Sequence, residues 1–176
     1  MTNGEGTFQE ESPVTLSAAQ KKFIAVDLGV VAGLFNFLLN YGIAWALFRK
    51  NGTVPLWGQE SIGGDSLVTA LILTWLTALI VSRTTALQIN KGNFAALPLR
   101  QASTWVRELV ARAFWVRGLG LGVLAALLIA LPAMLLLQSL GVQQMPAASF
   151  LWFKASFAAL LALIVTPMLG WLAMHR

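Results

Sequence analysis

Four apolar runs, at about residues 23–48, 64–83, 118–137 and 148–172, constrain this chain more than any other feature of its sequence. Each has close to the ~20 residues that a helix needs to cross a hydrocarbon core. Inside a bilayer the backbone polar groups must be bonded within the segment, so runs of this kind resolve as helices. Hydrophobic residues fill 57% of the 176 positions and charged residues only 11%, too little polar surface to coat a soluble globule. The sequence therefore predicts an all-α membrane protein with four transmembrane helices, arranged as two hairpins in one domain over residues 23–176. The first run is too long for a signal-peptide core and reads as a retained anchor. Residues 1–22 are mostly polar, include Glu5, Glu10 and Glu11, and are expected to form a disordered cytoplasmic tail.

Pro55 and several glycines mark residues 49–63 as a loop, and residues 141–146 read as a short turn. The connection after Arg83 carries a second pattern. From Pro98 onward, Ala102, Trp105, Val106, Leu109, Val110, Ala113 and Phe114 recur at helical spacing, with Arg100, Ser103, Thr104, Arg107, Glu108 and Arg112 opposite them. This predicts an amphipathic helix over about residues 98–114, lying in the headgroup plane or packed on the bundle as a linker.

Orientation follows from the basic residues. One side holds Lys21, Lys22, Arg83, Lys91, Arg100, Arg107, Arg112, Arg117 and Arg176, against Arg49, Lys50 and Lys154 on the other. By the positive-inside rule the richer side is cytoplasmic, which puts both termini and the amphipathic helix there. Trp45, Trp57 and Trp152 fall near the outer boundary and Trp105, Trp115 and Trp171 near the inner one, while Trp75 is mid-span. The net charge of +5 thus reads as topology and an anionic-lipid preference, and no nucleic-acid partner is expected.

Absence of cysteine removes thiol catalysis, disulfides and thiolate metal sites. A single histidine, His175, cannot form a cluster, and no Walker loop, metal-binding helix motif or nucleophile elbow occurs. No enzyme, cofactor or metal is expected. Asn51-Gly52-Thr53 matches a glycosylation acceptor triplet on the outer loop.

Within the spans, Gly29, Gly33, Asn36 and Asn40 share one face of an ideal helix. They read as a packing seam, with glycines for close approach and amides bonding across it, or as the wall of a polar path. The first span is also the expected subunit seam of a homo-oligomer. Gly118, Gly122 and Ala126 form a small-residue stripe on the third span, and Ala155, Ala159, Ala162 and Thr166 form one on the fourth. Ser66, Thr69 and Thr77 share part of the second span, where such hydroxyls commonly bond the carbonyl one turn back.

Pro132 and Pro167 should each kink a helix, and Thr166 stands where its hydroxyl could satisfy a carbonyl freed by Pro167. The ionisable candidates are Asp27, Asp65, Arg83, Arg117 and Lys154. On an ideal helix Asp27 faces away from Asn36 and can reach Arg83 or Arg117. Asp65 opens the second span, and Lys154 can snorkel outward.

The stretch Phe150-Leu151-Trp152-Phe153-Lys154 leading into Ile164-Val165-Thr166-Pro167 resembles the second helix of small, uncharacterised bacterial membrane proteins built from paired-helix repeats. The resemblance implies a bacterial inner-membrane location and carries over no activity. Two function classes remain open: a small transport or permeation protein with Asn36, Asn40, Thr77 and Thr166 along its path, or an accessory or scaffold subunit of a larger membrane complex.

The charge asymmetry yields a direct test of topology. In intact cells, Thr53→Cys should react with an impermeant thiol reagent and Gly92→Cys should not; the opposite labelling pattern inverts the orientation.

Overall fold

The computed structural model describes residues 15–50 and 52–176. Residues 1–14 of the expected tail lie outside the described residues, as does Asn51 of the acceptor triplet. Among the described residues, four helices are long and apolar enough to cross a membrane: α1 (Ala18–Phe48), α2 (Ile62–Asn90), α4 (Phe114–Ser139) and α5 (Ala147–Met174). A short helix, α3 (Thr104–Ala111), precedes α4.

Helix boundaries follow local chemistry. The first helix starts at Ala18 instead of Phe23 because Ser17 and Gln20 form a capping box, each side chain bonded to the other's backbone. Residues 18–22, expected to belong to the tail, are therefore helical. Ser61 caps α2, its hydroxyl accepting from the Gly64 amide at 3.1 Å. That helix continues past Arg83 to Asn90. Its added turns bring Thr84 and Gln88 onto the helix.

The amphipathic segment is also shorter than expected. A single 3₁₀ turn at Leu99–Gln101 and the eight-residue α3 replace one continuous helix over 98–114. The chain is extended at Arg112 before α4 begins. Val106 is fully buried, while Trp105 stands exposed beside Trp171, ring centroids 6.5 Å apart.

Two stretches are π-helical, Phe23–Val31 in α1 and Ala126–Ala130 in α4. The second ends just before Pro132, which lacks the N–H of a regular turn, so the widened turn accommodates the proline. The first carries Asp27 and changes the phase of everything that follows it on α1.

The expected hairpins do not pack as hairpins. Helix α5 packs against α1 on one side and α2 on another, and α4 packs chiefly on α2, giving the spatial order α1, α5, α2, α4. Small residues decide this order. Ala155, Ala158 and Ala162 of α5 are completely buried. A Cβ on Gly33 would lie 3.0 Å from Leu163 Cγ, and one on Gly29 would lie 3.7 Å from Pro167 Cγ, so both glycines face α5 within the protomer. The seam assigned to a subunit interface is thus internal. On the other flank, a Cβ on Gly118 would fall 2.8 Å from the Ala78 Cβ, and one on Gly122 would fall 2.7 Å from the Leu71 carbonyl oxygen.

Backbone clasps close both ends. At one end β1 (Thr53–Pro55) pairs antiparallel with β2 (Gln144–Pro146), Val54 opposite Met145, above a cluster in which Phe48 and Phe150 meet edge-on at 4.9 Å. At the other, Leu97 N–H donates to Met174 O at 2.8 Å and Arg176 N–H to Leu97 O at 3.1 Å. Gln20 Nε2 donates to Ala95 O at 2.9 Å, and Phe23 packs on Phe94. The first described residues, the α2–α4 connection and Arg176 therefore share one end of the bundle.

The glycine contacts predict unequal substitution costs. Gly122→Ala should destabilise by about 1–3 kcal/mol through overpacking against backbone. Gly120, with nothing within 4 Å of its would-be Cβ, should tolerate alanine or gain up to about 1 kcal/mol of helix propensity. Unfolding in mixed micelles measures both, and equal effects would contradict the packing.

Candidate functional site

Because α1 and α2 both lean on α5, they diverge from each other and leave a groove of about 870 Å³ between them. Its walls are apolar and partly open: Val31, Phe35 and Leu39 on α1, Val68, Ile72 and Ile80 on α2, all strongly exposed. Its polar groups come from three helices. Helix α2 supplies Asp65, Thr69, Thr77, Thr84 and Gln88, spaced so that they follow one face for most of the helix length. Helix α1 supplies Asp27, Asn36 and Asn40, and α5 supplies Lys154 and Thr166 as the floor.

Neighbouring contacts fix the order of these groups. Gly33 abuts Leu163, whereas Phe37 and Tyr41 pack on Trp152 with centroids 6.0 and 5.2 Å apart. Asn36 and Asn40 therefore lie between the levels of Thr166 and Lys154.

The asparagines bond within their own helix. Asn36 Nδ2 donates to Ala32 O at 2.9 Å and Asn40 Nδ2 to Asn36 O at 3.0 Å. Each amide nitrogen thus returns one turn back, and neither side chain bonds another helix, whereas the seam reading expected the amides to bond across the contact. Neither Oδ1 has a protein donor among the described residues, and both side chains border the groove. These oxygens are acceptors available to a guest or to water. Thr166 is buried and its hydroxyl makes no hydrogen bond, so the expected bond to a carbonyl freed by Pro167 is absent from the structure.

Asp27 and Asn36 both line the groove, although an ideal helix places them on opposite faces. The π-helical stretch is the reason: with i→i+5 bonding each residue advances through a smaller angle, which swings Asp27 round relative to the α-helical part. Asp27 pairs with neither Arg83, which is exposed, nor Arg117, which lies between α2 and α4 with Nη2 donating to Ser82 Oγ at 3.1 Å.

Near the clasped loops stands the one ion pair among the described residues. Lys154 Nζ donates to Asp65 Oδ1, with the lysine 4% and the aspartate 16% exposed. Lys154 does not snorkel outward; it is held inside by the acid. Asp65 occupies the first turn of α2, where the helix dipole favours a carboxylate, and its Oδ2 is buried without a partner. Sequence reasoning considered each residue alone. The pairing signal was their shared level: Asp65 opens a span, and Lys154 sits in the second turn of another that starts on the same side.

Scans against protein-family models, curated proteins and solved structures match nothing to this chain. The site therefore rests on its own geometry. That geometry offers a membrane-embedded groove with apolar walls, a discontinuous series of hydrogen-bonding groups, and opposite charges fixed at one end.

Breaking the pair from one side should be costly. Lys154→Met or Asp65→Leu alone should destabilise by about 3–5 kcal/mol, because the remaining charge stays buried. The double variant should recover most of that loss, and a double-variant cost equal to the sum of the single costs would show that the residues do not act as a pair.

Proposed function

We propose that this protein is a small transport or permeation protein of the bacterial inner membrane, with the α1–α2 groove as its path. The carrying observation is the groove itself, which Asn36, Asn40, Thr77, Thr166 and the Lys154–Asp65 pair all line. Its apolar walls and polar floor suit a small amphipathic solute. The polar part of such a solute follows the amide and hydroxyl oxygens, while its apolar part rests against Phe35, Ile72 and the surrounding bilayer.

Both termini are cytoplasmic in this reading, since Lys21, Lys22, Lys91 and Arg176 gather at the end tied together by the Leu97–Arg176 clasp. Helix α3, with its exposed Arg107 and Trp105, lies at that cytoplasmic surface against anionic headgroups. Homo-oligomerisation, if it accompanies transport, uses a face other than Gly29 and Gly33.

A second reading has a specific observation in its favour. The groove is open along its side, and its rims expose Leu39, Val68 and Ile80, a surface that a transmembrane helix of a larger complex can occupy. In that reading the chain is an accessory or scaffold subunit.

Reconstitution separates the two. In liposomes made with purified protein, wild type should carry fluorescent amphiphiles or ions across the bilayer. Asn36→Leu with Asn40→Leu should abolish that flux while assembly and folding are retained. Absence of flux from the wild type across a broad panel, or normal flux through the double variant, would remove the path and leave the accessory reading.

A further inference from the structure

Away from the groove, α2 and α4 enclose a cation without an acid. Arg117 is 8% exposed, in the first turn of α4. Nη2 donates to Ser82 Oγ at 3.1 Å, and Nε is buried with no hydrogen-bond partner. The acids nearest in the chain order of this end, Asp27 and Glu108, form no ion pair with it; the only ion pair among the described residues is Lys154–Asp65 at the opposite end. A guanidinium buried in this way carries a large desolvation cost unless an anion accompanies it.

The start of α4 adds to the same positive field. Its N-cap residue is Ala113, whose side chain has no oxygen, and no side chain caps the helix. The first N–H groups of the helix are therefore left for an external acceptor, and the N-terminal dipole favours negative charge where the sequence supplies an arginine. Arg112 and Arg83, both exposed, adjoin Ala113 and Ser82 in the chain. Phe114 and Trp115 are 45% and 54% exposed at the helix start, the residue types that settle at the boundary between headgroups and acyl chains.

We infer that the start of α4 binds the phosphate of an anionic lipid headgroup. The Arg117 guanidinium is its charged contact, the α4 amides are its neutral donors, and Phe114 and Trp115 flank the acyl chains. Ser82 positions the guanidinium from α2. The inference is independent of the transport reading, because none of these residues lines the groove.

Native mass spectrometry of the full-length protein with dioleoyl phosphatidylglycerol, dioleoyl phosphatidylcholine and inorganic phosphate tests it. Wild type should retain phosphatidylglycerol in preference to phosphatidylcholine, and Arg117→Gln should weaken phosphatidylglycerol binding about tenfold, the scale of one charged hydrogen bond. Lys50→Gln, which removes an exposed charge at the opposite end of the bundle, should leave that preference in place. Equal retention of phosphatidylcholine, unchanged binding by Arg117→Gln, or full competition by inorganic phosphate would each overturn the lipid assignment.

Should Arg117→Gln fail to fold, a photoreactive phosphatidylglycerol on the wild type decides the matter. Label within residues 112–118 or on Ser82 or Arg83 supports the site. Label confined elsewhere overturns it.

Discussion

Close approach to α5 is the contact on which the rest of the bundle depends. Its alanines leave room for the backbones of α1 and α2 on two sides, and Gly33 completes the fit on α1. In hydrocarbon, apolar burial gives helices little reason to associate, so packing of this kind does the work that a hydrophobic core does in water. A helix held between two others also keeps them apart. The groove is a direct result of that spacing, and a bulkier α5 would change both the bundle and the space beside it.

Polar groups along the groove show how such a site is tolerated in a membrane. Each asparagine satisfies one amide N–H on its own helix, which lowers the cost of burial while leaving the carbonyl oxygen available. The lysine and aspartate neutralise each other across two helices. Their pairing therefore does two jobs: it makes both charges tolerable and it ties α2 to α5 near the end where the loops already clasp. By contrast Arg117 has only a hydroxyl from the protein among the described residues, which is why it and Lys154, both buried, call for different chemistry.

Much of the architecture was legible in the residues. The apolar runs located all four long helices, since a span must be apolar over a length that the bilayer sets. Glycine spacing also marked faces that meet other helices, but it could not name the partner: Gly29 and Gly33 meet α5 inside the protomer. Chain order suggested hairpins, whereas side-chain size chose the neighbours. Of the site, Asn36, Asn40, Thr77, Thr166 and Lys154 were candidates, and the structure brings them to one groove. The Asp65 pairing and the turn that brings Asp27 into the groove were not legible, the first because it joins distant helices and the second because a constant angle per residue fails across a π-helical stretch.

The clasps join residues that lie far apart in the chain: Gly52 to Ala147, Ala95 to Gln20, and Leu97 to Arg176. A chain made from its N-terminus inserts α1, α2 and α4 before α5 exists. During that interval Asp65 has no lysine, the small faces of α1 and α2 have nothing between them, and the edges of β1 and Leu97 lack partners. Until that helix forms, the chain exposes an acid and unpaired backbone that the packed bundle covers: Lys154 neutralises Asp65, and Met174 and Arg176 bond Leu97.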